Sequence, residues 1–144
     1  MMISTKGRYA LRVMLDIASH SSGEYLSLRG ISERQNISVK YLEAIAAMLT
    51  KAGFLETLRG KNGGYRLARP AEDYTAAAIL QLTEGCLAPV SCMSSPEKQC
   101  SRGASCPTLP LWRGLELVIN RYLEQVTLAD LLRGEIKPEE ILKT

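Results

Sequence analysis

Apolar positions recur every three to four residues along the first stretch of the chain. Tyr9, Val13 and Ile17, flanked by Ala10, Met14 and Ala18, form one stripe. It predicts an amphipathic helix over residues 3–19 with Ser4 or Thr5 as its cap. Ser27 caps a second, short helix to residue 34, with Leu28 and Ile31 inward, and Asn36 ends it as a turn residue. Ser38 caps a third helix to residue 52. Its apolar face is Val39, Leu42, Ile45, Ala46 and Leu49, and Gly53 follows the last turn, where a left-handed cap favours glycine.

The period then drops to two. Leu55, Thr57 and Arg59 alternate with Phe54, Glu56 and Leu58. After the turn Gly60-Lys61-Asn62-Gly63-Gly64, the residues Tyr65, Leu67 and Arg69 alternate again up to Pro70. This predicts a β-hairpin with a glycine-rich basic tip. Thr75 caps a fourth helix over 76–84, with Ile79 and Leu82 buried and Gly85 at its end. Residues 86–107 show neither period. Thr108 and Pro110 open a long helix to about residue 126. One row of its apolar face is Leu111, Leu115, Val118 and Tyr122; a flanking row is Trp112, Ile119, Leu123 and Val126. Thr127 and Asp130 form a capping box for a short helix over 128–133 ended by Gly134, and Pro138 begins a final turn. The fold class expected is mainly α with a small β-hairpin.

Three short helices and a hairpin, in this order, are the arrangement of a winged helix-turn-helix, a DNA-binding unit. Charge supports that reading. The net charge is +3, but residues 1–70 hold 11 Lys and Arg against 5 Asp and Glu, whereas residues 71–144 hold 7 against 10. The basic half is the one expected to meet a polyanion. The third helix would then enter the major groove with Ser38, Lys40, Tyr41 and Glu43, with Ala44 beside them, while Val39, Leu42 and Ile45 face the core. Lys40 suits a phosphate, Tyr41 a phosphate or a base, and Glu43 the amino group of a cytosine. At the hairpin, Arg59, Lys61, Asn62 and Arg66 offer cations and polar groups to the backbone or the minor groove.

The four cysteines, Cys86, Cys92, Cys100 and Cys106, all fall in the segment that shows no period. Such a cluster points to metal or redox chemistry in a reducing compartment. No pair has the two-residue gap of zinc knuckles, and thiolate ligands at irregular spacing suit iron. Lys98 and Arg102 are expected to acidify the neighbouring thiols. An enzyme is a poor reading: the chain has one histidine, His20, and no phosphate-binding loop or nucleophile elbow. His20 is expected to be a solvated surface residue, and no small-molecule substrate is expected. No run approaches the length of a membrane span, and residues 1–8 lack a secretory apolar core, so no membrane partner and a cytoplasmic location are expected.

The motifs Ile3-Ser4-Thr5-Lys6-Gly7-Arg8-Tyr9-Ala10-Leu11, Ile37-Ser38-Val39-Lys40-Tyr41-Leu42-Glu43, Leu58-Arg59-Gly60-Lys61-Asn62-Gly63-Gly64-Tyr65-Arg66-Leu67, Leu82-Thr83-Glu84-Gly85 with Ala88-Pro89-Val90, and Thr127-Leu128-Ala129-Asp130-Leu131 together resemble the Rrf-two family of bacterial transcriptional regulators, over almost the whole chain. The resemblance implies a homodimeric repressor or activator of promoter DNA, whose long C-terminal helix crosses to the partner subunit. It also implies an iron-sulfur cluster, often two-iron two-sulfur, on three cysteines before that helix. Cys92, Cys100 and Cys106 match this triad and Cys86 falls outside it. The fourth ligand of some relatives is a histidine three residues after the last cysteine, here Leu109; in others it is an acidic residue early in the first helix, here Arg8. The fourth position is thus open between Cys86, a partner-subunit carboxylate and a non-protein ligand. A thiol/disulfide-switched or zinc-containing regulator of the same fold is the alternative to a cluster. The organisation expected is a winged helix-turn-helix region over 1–70, a connecting helix over 71–85, a cysteine-rich sensor loop over 86–107, and a dimerisation helix with its tail over 108–144.

Overall fold

Short side-chain caps set most of the helix starts. The computed structural model describes residues 2–98 and 100–143. Among these residues there are seven α-helices: α1 (Thr5–His20), α2 (Leu28–Gln35), α3 (Val39–Lys51), α4 (Ala76–Glu84), α5 (Leu109–Gln125), α6 (Leu128–Arg133) and α7 (Pro138–Lys143). Ser4, Ser27, Ser38 and Thr75 each accept a hydrogen bond from the backbone amide three residues on, at 3.1–3.2 Å. Each cap satisfies an otherwise unpaired amide. Thr127 and Asp130 complete a reciprocal capping box at α6. Helix α5 starts without a side-chain cap; the Thr108 hydroxyl lies against the Cys106 sulfur instead.

Strands β1 (Leu55–Leu58) and β2 (Gly64–Leu67) pair antiparallel, with Leu55 opposite Leu67 and Leu58 opposite Gly64. The hairpin is held to the helices by a bridge that the hydrophobic pattern does not reveal. Leu26 and Tyr65 exchange two backbone hydrogen bonds of 2.8 Å. Gly64 makes that approach possible: its φ is +156°, and a Cβ there would collide with the Leu26 carbonyl.

Helix α1 runs through the centre, packed against α2, α3, β2, α4 and α6. Its Ala10, Val13, Met14 and Ile17 meet Ile31, Leu42, Ile45, Leu49, Leu55, Tyr74, Ile79 and Leu128 in one core. Tyr74 is fully buried; its hydroxyl donates to the Phe54 carbonyl at 2.8 Å and accepts from the Arg69 amide at 3.0 Å. A buried phenol needs such partners. The segment before α6 returns to pair with the segment before α4: Ala76 donates to Val126 and Leu128 to Tyr74, both at 2.8 Å.

Four expectations are corrected. Val39 does not face the core: at the first position of α3 it is 38% exposed, because the inward side of that turn is filled by Ile37 and Leu42. Leu82 packs against the core but is only half-buried, the buried positions of α4 being Ala76, Ala77, Ile79 and Leu80. Arg59 lies beyond the end of β1, which stops at Leu58. The cysteine segment is not without structure: it holds three 3-10 turns, Ser91–Met93, Pro96–Lys98 and Gly103–Ser105, and buries Leu87. Each turn is too short to give a period.

Candidate DNA interface and cysteine cleft

The turn between α2 and α3 is fixed before any contact outside the protein is considered. Asn36 takes a left-handed conformation, φ 54° and ψ 48°, which asparagine tolerates better than most residues. Ser32 donates to the Ile37 carbonyl at 2.6 Å. Beneath the turn, Asp16 of α1 is buried. Arg34 donates to its carboxylate from Nε, at 3.1 Å, and from Nη2, at 2.7 Å, and Gln35 donates at 2.8 Å. Burial pushes the Asp16 carboxyl up, but the hydrogen bonds from Arg34 and Gln35 and the guanidinium charge outweigh it and hold the group below the usual aspartate range. His20 lies at the rim, half-exposed, with Nδ1 2.9 Å from the Asp16 carbonyl oxygen and 3.7 Å from its carboxylate.

The clamp orients α3 so that Ser38, Lys40, Tyr41, Glu43 and Ala44 are exposed while Leu42, Ile45 and Ala46 are buried. Tyr41 is held edge-on by Tyr9 of α1, with ring centroids 5.5 Å apart. Arg12 lies 5.3 Å from the Tyr9 ring and donates to both the side chain and the carbonyl of Gln35. Tyr9, Arg12 and Asp16 therefore support the exposed helix from behind, spaced one turn apart on α1. In the sequence Tyr9 reads only as part of the apolar stripe; the signal for Arg12 and Asp16 is their repeat of three to four residues from it.

In the hairpin, Arg59, Lys61 and Asn62 are exposed. Arg66 is placed differently. Its guanidinium pairs with Glu56 at 2.8 Å, donates to the Gly23 carbonyl at 3.1 Å and lies 4.5 Å from the Tyr25 ring. It ties the wing to the loop after α1 instead of reaching outward.

The second candidate site lies at the start of α5. Cys92, Cys100 and Cys106 line one cavity of about 850 Å³, with Leu109, Trp112 and Arg113 of α5 on its wall. Cys86 stands apart just after α4, exposed, its sulfur accepting from the Ala88 amide at 3.3 Å. The Cys106 sulfur is 3.3 Å from the Thr108 hydroxyl. That hydroxyl, with the backbone amides of Thr108 and Leu109, holds the Cys106 thiol below its ordinary range. For Cys106 the acidifying groups are thus at the start of α5, not Lys98 and Arg102 as expected. Among the described residues, no three His, Cys, Asp or Glu side chains already converge on one metal position. The donor set nonetheless fits a thiolate-ligated cluster in kind: three cysteines facing one space, on a loop of short turns that can draw them together.

An exposed, capped helix behind a left-handed turn, flanked by a basic wing, defines the winged helix-turn-helix class of DNA-binding transcription regulators. The comparisons with known proteins narrow this. The model of the Rrf2 family, described as iron-dependent transcriptional regulator, matches residues 3–134. Protein rrf2 of Nitratidesulfovibrio vulgaris is 41% identical over 133 residues, covering 92% of this chain and 88% of that protein. The HTH-type transcriptional regulator IscR of Vibrio atlanticus is 38% identical over 133 residues, covering 92% and 76%. Among solved structures, CymR (YrzC), the global cysteine regulator of B. subtilis, superposes with a TM-score of 0.76 at 32% identity, over 94% of this chain and 99% of that one. The chain belongs to the Rrf2 family of transcriptional regulators.

Proposed function

We propose that this chain is a homodimeric regulator that binds paired half-sites in promoter DNA and reads a redox or iron signal at Cys92, Cys100 and Cys106, through a two-iron two-sulfur cluster. Residues 1–70 supply the DNA-binding unit, 71–85 a connecting helix, 86–107 the sensor and 108–144 the dimer contact; the DNA partner implies a cytoplasmic location. The observation that carries the reading is the shared cavity: the three cysteines of the triad face one space, walled by the first turns of α5.

On the DNA side, Ser38, Lys40 and Tyr41 meet the backbone, and Glu43 accepts from a base edge. Arg59, Lys61 and Asn62 hold the flanking phosphates or minor groove. Arg66 acts indirectly, by bracing the wing through Glu56. On the sensor side, Cys92, Cys100 and Cys106 are the thiolate ligands, and Cys86 is a candidate for the fourth position beside a partner-subunit carboxylate and a non-protein ligand. A bound cluster supplies a redox-sensitive cross-link among these thiolates. Because Leu109 and Trp112 share the cavity wall with them, drawing the thiolates together or releasing them shifts the start of α5. In a dimer joined along α5, that changes the spacing of the two wings, to which paired half-sites are sensitive.

A second reading rests on the same thiols. All four are free, and three face one cavity, so oxidation to a disulfide would move the same elements, as would zinc. The test is DNA affinity of anaerobically iron-loaded protein against iron-stripped, reduced protein, on a duplex enriched by the protein from a random library. The proposal expects the two forms to differ by about tenfold or more. Equal affinities would refute the sensor assignment, and binding of no duplex would refute the DNA assignment.

A further inference from the structure

Besides the small Ala44, the groove-facing side of α3 carries one larger apolar residue that the contacts above leave unused. Val39 is 38% exposed and stands outside the core that Leu42, Ile45 and Leu49 enter. Its neighbours on the surface are polar: Ser38, Lys40 and Glu43. Val39 and Glu43 are four residues apart, so their side chains stand one turn apart on the same side of the helix. A β-branched residue is a poor choice for an exposed helix start on propensity alone, and its methyls gain nothing from water.

Base edges in the major groove present one apolar group, the C5-methyl of thymine. We propose that Val39 is a specificity-determining residue that packs against this methyl in each half-site. The thymine lies within two base steps of the cytosine whose amino group Glu43 accepts: four helical residues advance about 6 Å, and a base step about 3.4 Å. Thus i and i+4 read an apolar and a polar edge side by side. The inference rests on α3 being the DNA-reading helix.

The experiment uses the full chain and the duplex that it enriches from a random library. Each thymine is replaced in turn, symmetrically in both half-sites, by deoxyuridine, which removes only the methyl group. Wild-type affinity should fall about fourfold per half-site at one thymine position. That position should lie within two steps of the base at which Glu43→Ala loses discrimination. Val39→Ala, at an exposed site where alanine favours the helix, should bind the parent duplex as weakly as wild type binds the deoxyuridine duplex, and should ignore the replacement. Binding that is indifferent to deoxyuridine at every position overturns this inference and leaves the DNA reading standing. So does a Val39→Ala protein that still senses the methyl. Failure to enrich any duplex overturns both.

Discussion

Glu84, the last residue of α4, accepts two hydrogen bonds from Ser4, the N-cap of α1: one from its amide at 3.0 Å and one from its hydroxyl at 2.7 Å. Gly7 lies directly beneath, where a Cβ would collide with the same carboxylate. The residue that ends the helix before the cysteine segment is thus fastened to the start of the helix that supports Tyr41 through Tyr9. If residues 86–107 act as the proposed sensor, this contact offers a second route to the DNA-facing surface, besides α5. Glu84→Ala should cost about 1–2 kcal/mol of stability by the loss of two hydrogen bonds, read by denaturant unfolding. It should also reduce the ratio of DNA affinities between cluster-loaded and stripped protein. Full retention of that ratio in a folded variant would remove Glu84 from the signalling path.

The wing residues divide into two groups. Arg59→Ala and Lys61→Ala should each weaken binding to all sequences alike and lower the slope of log affinity against log salt by about one. Arg66→Ala should leave that slope nearly unchanged, since its guanidinium is already paired with Glu56. Its cost is a small loss of stability, as for other solvent-exposed ion pairs. Salt titrations of the three variants check this division.

Asp16 makes the fold sensitive to acid. Its carboxyl is lowered in the folded state, so the unfolded chain binds the proton more readily. The stabilisation is complete above the unfolded value of about 3.9 and is lost as pH falls through the lower folded value. Unfolding titrations from pH 6 down to pH 2 should show this loss, and Asp16→Ala should abolish that part of it. At neutral pH the same substitution should cost about 2–3 kcal/mol, since it removes the hydrogen bonds from Arg34 and Gln35 to a buried carboxylate.

Helix α5 has no fully buried residue. Its two apolar rows behave differently. Trp112, Ile119 and Leu123 are half-buried, whereas Leu111 is 62%, Leu115 40% and Val118 47% exposed. A paired row is expected to cover them in the dimer. Leu115→Asp should shift sedimentation at micromolar concentration towards monomer and weaken DNA binding, with the fold intact by circular dichroism. An unchanged dimer would place the contact elsewhere.

Much of this architecture was legible because it rests on local rules. The serine and threonine caps, the turn at Asn36, the glycine-rich turn and the Thr127–Asp130 box are written in short spacings. What escaped depends on partners distant in sequence. Asp16 reads as a polar interruption of an apolar stripe until Arg34 and Gln35 fold over it. Tyr74 carries no periodic signal in the sequence; Phe54 and Arg69 supply its hydrogen bonds only in the fold. Val39 reads as core because valine is apolar, but whether a side chain at the first turn of a helix is covered depends on what packs against that turn. For the cysteines, spacing suggested the chemistry and the family resemblance the triad. Only the fold brings Cys92, Cys100 and Cys106 to a shared cavity and leaves Cys86 outside it.

Iron and sulfide content, measured with visible absorption on anaerobically prepared protein, tests most directly whether this triad holds the proposed sensor. Wild-type protein should be coloured and carry iron and sulfide in equal amounts. Cys92→Ala, Cys100→Ala and Cys106→Ala should each abolish both. Cys86→Ala should separate the candidates for the fourth ligand: loss of the cluster assigns the position to Cys86, and retention assigns it elsewhere. Wild-type protein that stays colourless and iron-free, although made with ample iron, would contradict the account and leave a thiol switch or a zinc site in its place.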